Sequence, residues 1–582
     1  METIALPLSP GRILLRPNWN LMPPVPDDVV GALGFPRNQA QLLFNRGLSS
    51  RREAQSFLTT DESQIHDPFL LTDMDSAVPR IGRAIADGER IGVFGDFDID
   101  GISGTAVIVT GLRNLNANVT PYIPNRNRVE EGHGLNQSAI RFLASSGVTL
   151  LITVDCGSSD SDEVKLASSL GIDTIITDHH TVLDFPPALA FISANRPDSE
   201  YPFRSLAGVG MAYKLIQAVY QDAGLEEPSE LLEFVALGTV SDVVPLQGEN
   251  RYFVKEGLCR LNRTSVPGLS ALIEASGYRG KELDTTALSF GLIPRLNAPG
   301  RLYDAEDARY MALNLMTTSD ADSARYMAAD MEVSNRRRQA LTEEGVSQAR
   351  AQVAKRWGRS SLPGIIMVGH SDWKPGIVGL IASKLVDMYN RPAIAVSVGE
   401  SESRASARTV PGFSIFEPIE MKSELFVKFG GHQQAAGFTT SNAHLRTLAD
   451  HFEAVSEGLF DSSAGDVPLD IEMKAGPSPV AKDLFDFTLE LAPFGQSNPQ
   501  PLFASEPLYV VNSFGVGSGK HLKFTLQDQG GSTWDAIAFR QGRRIREAAP
   551  GNYLNVAYRM ELNTWRGSTN LQLVVEDFAP SA

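Results

Sequence analysis

The chain has 582 residues and an ordinary globular composition, with 42% hydrophobic and 21% charged residues, so it is neither fibrous nor disordered. At about 100–200 residues per domain, this length predicts several domains rather than one core. The net charge of −17 argues against indiscriminate coating of nucleic acid, although local basic patches remain compatible with it.

Targeting and redox signals are sparse. No segment reaches the ~18 uninterrupted apolar residues of a membrane span, and the first residues lack the basic and apolar pattern of a secretory signal. The two cysteines, Cys156 and Cys259, are too few for a disulfide framework or a thiolate zinc site. We therefore expect a cytoplasmic protein in which any metal is bound by Asp, Glu or His.

The first part of the chain predicts a cap followed by an α/β domain. Residues 1–80 are punctuated by prolines and then carry helical patterns, which indicates an N-terminal helical cap. Over 81–318, short runs that are apolar throughout alternate with helical segments, beginning with strands at 91–94, 148–154 and 173–177. This alternation is typical of a doubly wound parallel sheet, which binds ligands at the carboxyl ends of its strands.

Three further segments follow. Residues 319–358 are charged, rich in alanine and free of proline, which predicts a connecting helix that could span roughly 50 Å. A second, smaller α/β domain is expected over 359–462, with strands at 364–368 and 393–397. Residues 463–582 alternate between apolar and polar positions and contain Gly-rich turns, which predicts an all-β module in the form of a small barrel.

Acidic residues and histidines follow three predicted strands of the first sheet. Asp96, Asp98 and Asp100 alternate directly after the first strand, and alternate residues of an extended chain share a face. By itself this motif is as compatible with a calcium-type loop or an acidic turn as with a functional site. However, Asp155 ends the next strand and Asp-His-His at 178–180 ends the third. A lone Asp at such a place is usually a helix N-cap, but three successive strand ends favour a functional cluster.

Gathered carboxylates repel one another, so they shift their pKa values or bind cations. Oxygen ligands with imidazole and without thiolate suit Mn²⁺ or Mg²⁺. Two such ions about 3.5–4 Å apart could activate water and stabilise the leaving oxygen of a phosphate ester. The cluster therefore predicts hydrolytic phosphoryl transfer.

Several motifs resemble those of known families. The segments that resemble the DHH phosphoesterase superfamily are 95–101 (GDFDIDG), 154–157 (VDCG), 178–180 (DHH) and 238–246 (GTVSDVVPL). The segments that resemble the RecJ single-strand-specific exonucleases are 294–301, 406–413 and 430–438, followed by 493–503, 521–524 and 563–567 in an OB-type β-barrel domain. The resemblance runs from about residue 30 to the end of the chain.

The resemblance assigns roles to individual residues. It implies five metal ligands, namely Asp98, Asp100, Asp155, His179 and Asp242. It also implies that His180 contacts the scissile phosphate and that Asp96 supports the catalytic site.

The second lobe resembles the DHH-associated domain, which implies that it holds the 5′ end of the strand. Ser406 and Arg408 would donate to a terminal phosphate, and Arg295 or Arg301 would join them. Gly430 and Gly431 would allow close backbone approach beside His432, the alternative being a simple tight turn. Lys374 stands where many relatives have histidine, so we expect it either to attract a backbone phosphate or to lie in solvent.

The resemblance implies a 5′→3′ exonuclease that hydrolyses single-stranded DNA with two Mn²⁺ or Mg²⁺ ions. A narrow slot would exclude duplex, and the OB-type module would add a groove for the unpaired strand. Work with a single-strand-binding protein and a RecQ-type helicase in recombination and repair is also implied. One alternative is a DHH phosphatase or oligonucleotidase of small phosphate substrates, which the β module at 466–582 disfavours. The other is a non-catalytic scaffold, which the complete ligand set disfavours.

Overall fold

The computed structural model describes residues 19–126, 131–182, 185–303, 306–358, 362–458, 469–476, 481–565 and 568–581. The start of the expected cap (1–18), the expected boundary at 463 and two residues of the last RecJ-like motif (566–567) lie outside them. The described chain divides into two compact units. One unit combines the residues up to Gln64 with those from Leu469 onward, and the other lies between Ile65 and residue 458. The expected cap at 1–80 is therefore split between the two units.

The N-terminal segment contains β1 (Trp19–Leu21), α1 (Asp27–Leu33), α2 (Arg37–Phe44) and α3 (Arg51–Thr59). The first lobe of the larger unit then follows with α4 (Met74–Ala86), β2 (Arg90–Gly95), α5 (Ile99–Asn114), β3 (Asn118–Tyr122), α6 (Gln137–Ser145), β4 (Val148–Val154), α7 (Ser161–Ser169), β5 (Asp173–Thr177), β6 (Ala190–Ile192) and α8 (Gly208–Asp222).

The first lobe is built on a parallel five-stranded sheet with the order β3-β2-β4-β5-β6. Neighbouring residues of one strand face different layers: Ile152 packs with α4, α5 and α8, whereas Leu151 packs with α6 and α7. This arrangement confirms the predicted doubly wound sheet. It also explains why the strands are apolar on both faces.

The register of this sheet aligns the ends of its central strands. Gly95 of β2 lies opposite Val154 of β4, which lies opposite Thr177 of β5. The next residue of each strand continues the hydrogen-bond ladder, since Asp96 N donates to Val154 O (3.1 Å) and Asp155 N donates to Thr177 O (3.0 Å). Three aspartates, at 96, 155 and 178, consequently stand side by side at the carboxyl edge.

The chain then forms α9 (Leu232–Ser241), α10 (Gly248–Leu261), α11 (Pro267–Ala275), a π-helical turn (Ala287–Leu292), α12 (Ile293–Leu296), α13 (Ala298–Leu302), α14 (Glu306–Thr317) and α15 (Ala321–Arg356). Helix α15 confirms the predicted long helix. Its single glycine, Gly345, permits close packing, because a Cβ there would lie 2.5 Å from a methyl group of Ile381.

The second lobe contains β7 (Ile366–His370), α16 (Pro375–Tyr389), β8 (Ala393–Val398), β9 (Glu402–Arg408), α17 (Phe416–Glu420), β10 (Phe426–His432), β11 (Ala435–Ser441) and α18 (Leu445–Val455). Its sheet has the order β10-β11-β9-β8-β7 and is antiparallel except between β7 and β8. Gly430 and Gly431 lie inside strand β10 and not in a tight turn, which is formed by residues 433–434.

The C-terminal module contains β12 (Leu469–Ile471), β13 (Met473–Lys474), α19 (Ala481–Glu490), β14 (Phe503–Ala504), β15 (Leu508–Val516), β16 (His521–Gln527), β17 (Thr533–Ala538), β18 (Tyr553–Trp565) and β19 (Ser568–Pro580). Strand β18 pairs with both β15 and β19, and β19 pairs with β17, so the strands close into a ring. The predicted small β-barrel is confirmed. None of the described helices combines the length and apolar character that a bilayer crossing requires.

The N-terminal segment is an integral part of this C-terminal module. Strand β1 pairs in parallel with β12, and the indole of Trp19 donates to Asp577 (2.8 Å). The guanidinium of Arg46 forms an almost completely buried ion pair with Glu472 (2.9 Å) and also donates to Asn498 (2.7 Å). Residues separated by more than 400 positions therefore fold as one body.

Replacing Arg46 tests whether its ion pair joins the N-terminal segment to the C-terminal module. Arg46→Ala leaves the buried Glu472 carboxylate without its partner, which we expect to destabilise the module by about 3–5 kcal/mol. Hydrogen exchange should then speed up across β12 to β19 while the larger unit keeps its protection. Arg52→Ala, at an exposed position of α3, is the control. Unchanged exchange in the Arg46 variant would show that the ion pair does not join the two segments.

Candidate metal centre

Seven residues meet at the carboxyl edge of the first sheet. Their possible ligand atoms fall into groups whose members lie within 4.8 Å of one another. The groups are Asp96, Asp98 and Asp155, then Asp100, His179 and Asp242, and finally Asp155, His179 and His180. All five residues expected as metal ligands are thus brought together, and Asp96 lies among them.

Two of the carboxylates are held by backbone N–H groups at helix starts. Asp98 caps α5, and its side chain accepts from the N–H groups of Asp100 (2.9 Å) and Gly101 (3.2 Å). Asp100 is buried and accepts from Gly208 (2.7 Å) and Val209 (2.8 Å) at the start of α8. These donors fix the carboxylates before any ligand arrives, and they favour the negative charge.

Asp155 lies at the centre of the cluster. Its Oδ1 is 3.1 Å from His179 Nε2, which also lies 3.6 Å from Asp242 and 3.8 Å from Asp100. The backbone of Asp155 is left-handed, with φ of 60°. Close approach of the α8 backbone requires glycine at 208, where a Cβ would lie 2.6 Å from that of Asp155.

The carboxylates disfavour each other's charge. Burial raises the pKa of Asp100 to about 7, with a further contribution from Asp242. Burial and the Asp100 carboxylate hold the pKa of Asp155 well above its usual range. For Asp98, burial and the neighbouring Asp96 likewise raise the pKa. Such a cluster accepts either protons or cations.

The donor atoms fit divalent cations. Within the described part of the chain, no group donates a hydrogen bond to the buried oxygens Asp96 Oδ1 and Asp155 Oδ1, so a strong acceptor is available at each. Carboxylate oxygens with one imidazole nitrogen are the ligands that Mn²⁺ and Mg²⁺ prefer. The residues present therefore fit the expected metal ions.

The surroundings of His180 orient its ring and favour its protonated form, which is a hydrogen-bond donor. Its Nδ1 lies 2.7 Å from Asp178 Oδ1, and Asp178 also accepts from the N–H of Ser158 (3.0 Å). Although burial opposes the charge, Asp178 raises the pKa of His180 to about 9. The His180 side chain is 43% exposed, and its ring stacks on His432 of the second lobe with centroids 6.0 Å apart.

A group of arginines accompanies the carboxylates. Burial, together with repulsion by Arg126, Arg338 and Arg408, holds the pKa of Arg301 well below its usual range. Burial and the charge of Arg126 also lower the pKa of Arg408. Across the described chain, Arg126, Arg301 and Arg408 form no ion pair with a carboxylate. Gathered cations of this kind favour an anionic ligand.

Ser406 and Arg408 lie on the same face of β9, as alternate residues of a strand must. The guanidinium of Arg408 donates to Ser406 Oγ (3.0 Å) and to the carbonyl of Ala407 (2.8 Å). Gly379 of α16 packs close to this pair, because a Cβ there would lie 3.1 Å from Ser406 Oγ. Gly430 has open space at its Cβ position, which leaves its backbone accessible.

Two residues occupy surroundings that differ from those expected. Arg295 forms an ion pair with Glu332 of α15 (2.7 Å), so its charge is already compensated. The ammonium group of Lys374 donates to the carbonyl of Leu302 (2.9 Å), directly after Arg301. Lys374 is half-buried, which excludes the solvent-exposed alternative.

Sequence reasoning missed Arg126, Arg338 and His133. His133 Nδ1 lies 3.1 Å from Asp96 Oδ2, although the histidine belongs to the loop between β3 and α6. Arg126 follows the end of β3, so the strand-end argument applied to that strand would have identified it. Arg338 is one arginine among several on a charged helix, and no pattern distinguishes it.

Three family models match successive parts of the chain. They are described as the DHH family, N-terminal domain (residues 90–239), the DHHA1 domain (362–458) and the RecJ OB domain (471–577). The first covers the residues of the metal centre except Asp242, which lies three residues beyond its end, and the second covers the lobe with Ser406 and Arg408.

The most similar relatives include the single-stranded-DNA-specific exonuclease RecJ of Bacillus subtilis (34% identity, 93% of this chain and 68% of that protein). The Salmonella typhimurium protein of that name is 33% identical over 88% of this chain and 91% of its own length. Among solved structures, Thermus thermophilus RecJ with Mn²⁺ matches with a TM-score of 0.79 and 28% identity, covering 97% of this chain and 80% of that one.

Metal binding should stabilise the protein measurably. We expect Mn²⁺ at about 100 times its Kd to add roughly 3 kcal/mol to the free energy of unfolding. The metal-free fold is stabilised at lower pH by the proton on Asp100, and this contribution is lost as pH rises through the pKa of about 7. The rise in Tm caused by Mn²⁺ should therefore be larger at pH 8 than at pH 6.

Asp155→Asn tests whether the stabilisation arises at this cluster. Asparagine keeps the size of the side chain and tolerates the left-handed backbone. The variant should lose the Mn²⁺-induced rise in Tm and be at least as stable as the natural protein without metal. Asp162→Asn, at an exposed position of α7, should keep the rise. Equal responses of the two variants to Mn²⁺ would place the metal elsewhere.

Proposed function

The chain belongs to the RecJ family of single-stranded-DNA-specific exonucleases, and we propose that it removes nucleotides from the 5′ end of single-stranded DNA by metal-dependent hydrolysis. One observation carries the proposal: the carboxylate cluster adjoins the arginine cluster. Burial lowers the pKa of Arg126 and of Arg301, and the nearby charge of Asp98 partly offsets that lowering at both. A strand with its terminal phosphate among the arginines would present a phosphodiester bond to the carboxylates.

The metal ions are Mn²⁺ or Mg²⁺. In our proposal Asp96, Asp98 and Asp155 hold one ion, and Asp100, His179 and Asp242 hold the second. The 3.1 Å approach of Asp155 to His179 supports Asp155 as a shared ligand. This assignment makes Asp96 a ligand and not only a supporting residue. When bound, such a pair of ions lowers the pKa of a water molecule and neutralises charge on a phosphate.

His180 would donate a hydrogen bond to the scissile phosphate. Its Nδ1 is engaged by Asp178, which leaves Nε2 for the substrate. The Asp178 carboxylate keeps the imidazole charged through neutral pH and fixes the orientation of its ring. His432 stacks on this ring from the second lobe and would help to position the strand between the lobes.

The 5′ end would be recognised by Ser406, Arg408, Arg126 and Arg301. A terminal phosphate carries more negative charge than a phosphodiester and offers more free oxygens, so a group of guanidinium ions favours it. Binding it would also relieve the repulsion that lowers the pKa of Arg301. The exposed backbone at Gly430 and Gly431 would allow the strand to lie against β10.

The barrel would bind the unpaired strand farther from its end. Phe514 and Lys523 are cross-strand neighbours, and the rings of His521 and Phe539 are 5.4 Å apart. Phe514 is 44% exposed and Phe539 52%. Aromatic rings beside a lysine can stack on bases and attract a backbone without reading sequence.

Within the cell, we propose a role in recombination and repair. A RecQ-type helicase would supply unpaired strands and a single-strand-binding protein would cover them. The cytoplasm is the compartment that the sparse cysteine usage favours. The barrel disfavours a phosphatase of small substrates, and the assembled ligand set disfavours a scaffold without activity.

We propose 5′→3′ polarity with Arg408 in the pocket for the terminal phosphate. Single-stranded oligonucleotides labelled at either end should be degraded from the 5′ end in Mn²⁺, while duplexes of the same sequence persist. Arg408→Ala should raise KM for 5′-phosphorylated strands by about tenfold or more, because a charge-assisted contact is lost. KM for 5′-hydroxyl strands should change much less.

Arg446→Ala is the control for loss of positive charge, because Arg446 is an exposed residue of the same lobe. It should leave both KM values unchanged. Equal losses on both substrates in the Arg408 variant would contradict a terminal-phosphate site at β9. Degradation from the 3′ end would contradict the proposed polarity.

A further inference from the structure

Phe97 stands between two metal-binding carboxylates, Asp96 and Asp98, yet offers no ligand atom. Phe97 is 9% exposed. The guanidinium carbon of Arg126 lies 4.6 Å from the centroid of the Phe97 ring, and the ring of His133 lies 4.3 Å from it. The aromatic residue of the motif thus contacts the arginine cluster directly.

Arg126 needs such a contact to keep its position. It lies in the loop after β3, half-buried, and its charge repels Arg301 and Arg408. Over the described ranges of the chain, no carboxylate forms an ion pair with Arg126 and no hydrogen bond holds its guanidinium. A guanidinium over an aromatic ring is attracted by the ring quadrupole, most strongly away from water.

We propose that Phe97 is a positioning residue for the 5′-phosphate: its ring holds Arg126 in the arginine cluster and fixes that arginine relative to the metal ligands on either side. The inference rests on the proposed function, since it concerns the same phosphate site. The peptide backbone that carries Asp96 and Asp98 also carries the ring. Phe97 therefore links the place where the terminal phosphate binds to the place where the metal ions bind.

Because the ring acts on Arg126 and not on the metal ligands, its loss should affect substrate binding more than the chemical step. Without the ring, Arg126 would move away from Arg301 and Arg408, and the terminal phosphate would lose one of its cationic partners. The carboxylates keep their own hydrogen bonds, such as those from Gly208 and Val209 to Asp100. Loss of the ring should therefore raise KM for 5′-phosphorylated strands and change kcat little.

The experiment compares 5′-phosphorylated with 5′-hydroxyl single strands in Mn²⁺. Phe97→Leu should reduce the preference for the 5′-phosphate, measured as the ratio of kcat/KM values, by about five- to tenfold. Phe97→Tyr keeps the ring and should keep the preference. Phe94→Leu is the matched control, because Phe94 is a buried aromatic of β2 that stacks on Tyr122 (5.3 Å) and not on Arg126.

A double-mutant cycle then tests whether Phe97 acts through Arg126. In an Arg126→Ala background, Phe97→Leu should reduce the preference little further, whereas full additivity would overturn the inference. If Phe97→Leu does not fold, as judged by circular dichroism, Phe97→Met provides the same comparison with an adaptable side chain.

The natural protein separates failure of the inference from failure of the proposed function. No preference for the 5′-phosphate in the natural protein would overturn the proposed phosphate site, and the role of Phe97 with it. A preference in the natural protein that Phe97→Leu retains would overturn the role of Phe97 alone.

Discussion

Mutual repulsion among buried carboxylates is the constraint on which the rest of this structure depends. Asp96, Asp100 and Asp155 are each at most 5% exposed, and burial together with neighbouring carboxylates raises the pKa of Asp100 and of Asp155. The fold tolerates them because rigid elements hold them: the aligned ends of β2 and β4 and the N–H groups at the start of α8. Repulsion among the carboxylates destabilises the metal-free fold, and divalent cations would offset that repulsion when they bind.

A second unbalanced cluster, of arginines, stands beside the first. Its arginines come from separate elements, namely Arg301 from α13, Arg408 from β9 and Arg126 from a loop. Among the described residues, none of the three forms an ion pair with a carboxylate. In our proposal each cluster binds an external charge, cations in one case and phosphate in the other. A molecule with a net charge of −17 can thus bind a polyanion through local chemistry.

Much of this arrangement could be predicted from the sequence. The strands are apolar on both faces, so their ends could be located, and Asp96, Asp155 and Asp178 follow those ends directly. The resemblance of the segment 406–413 to a family motif identified Ser406 and Arg408, which lie on one face of β9. Such features are local in sequence, where periodicity is informative.

Contacts between distant segments could not be predicted in this way. The parallel pairing of β1 with β12 joins residues 450 positions apart, and short strands give no signal of their partner. Arg295 matched a motif, but its ion pair with Glu332 depends on how α15 packs.

Anomalous diffraction at the manganese edge, from crystals soaked in Mn²⁺, tests the central claim most directly. Two peaks should appear at the carboxyl edge of the first sheet, one among Asp96, Asp98 and Asp155 and the other among Asp100, His179 and Asp242. Absence of manganese from this edge, or a single ion held without Asp155, would contradict the account.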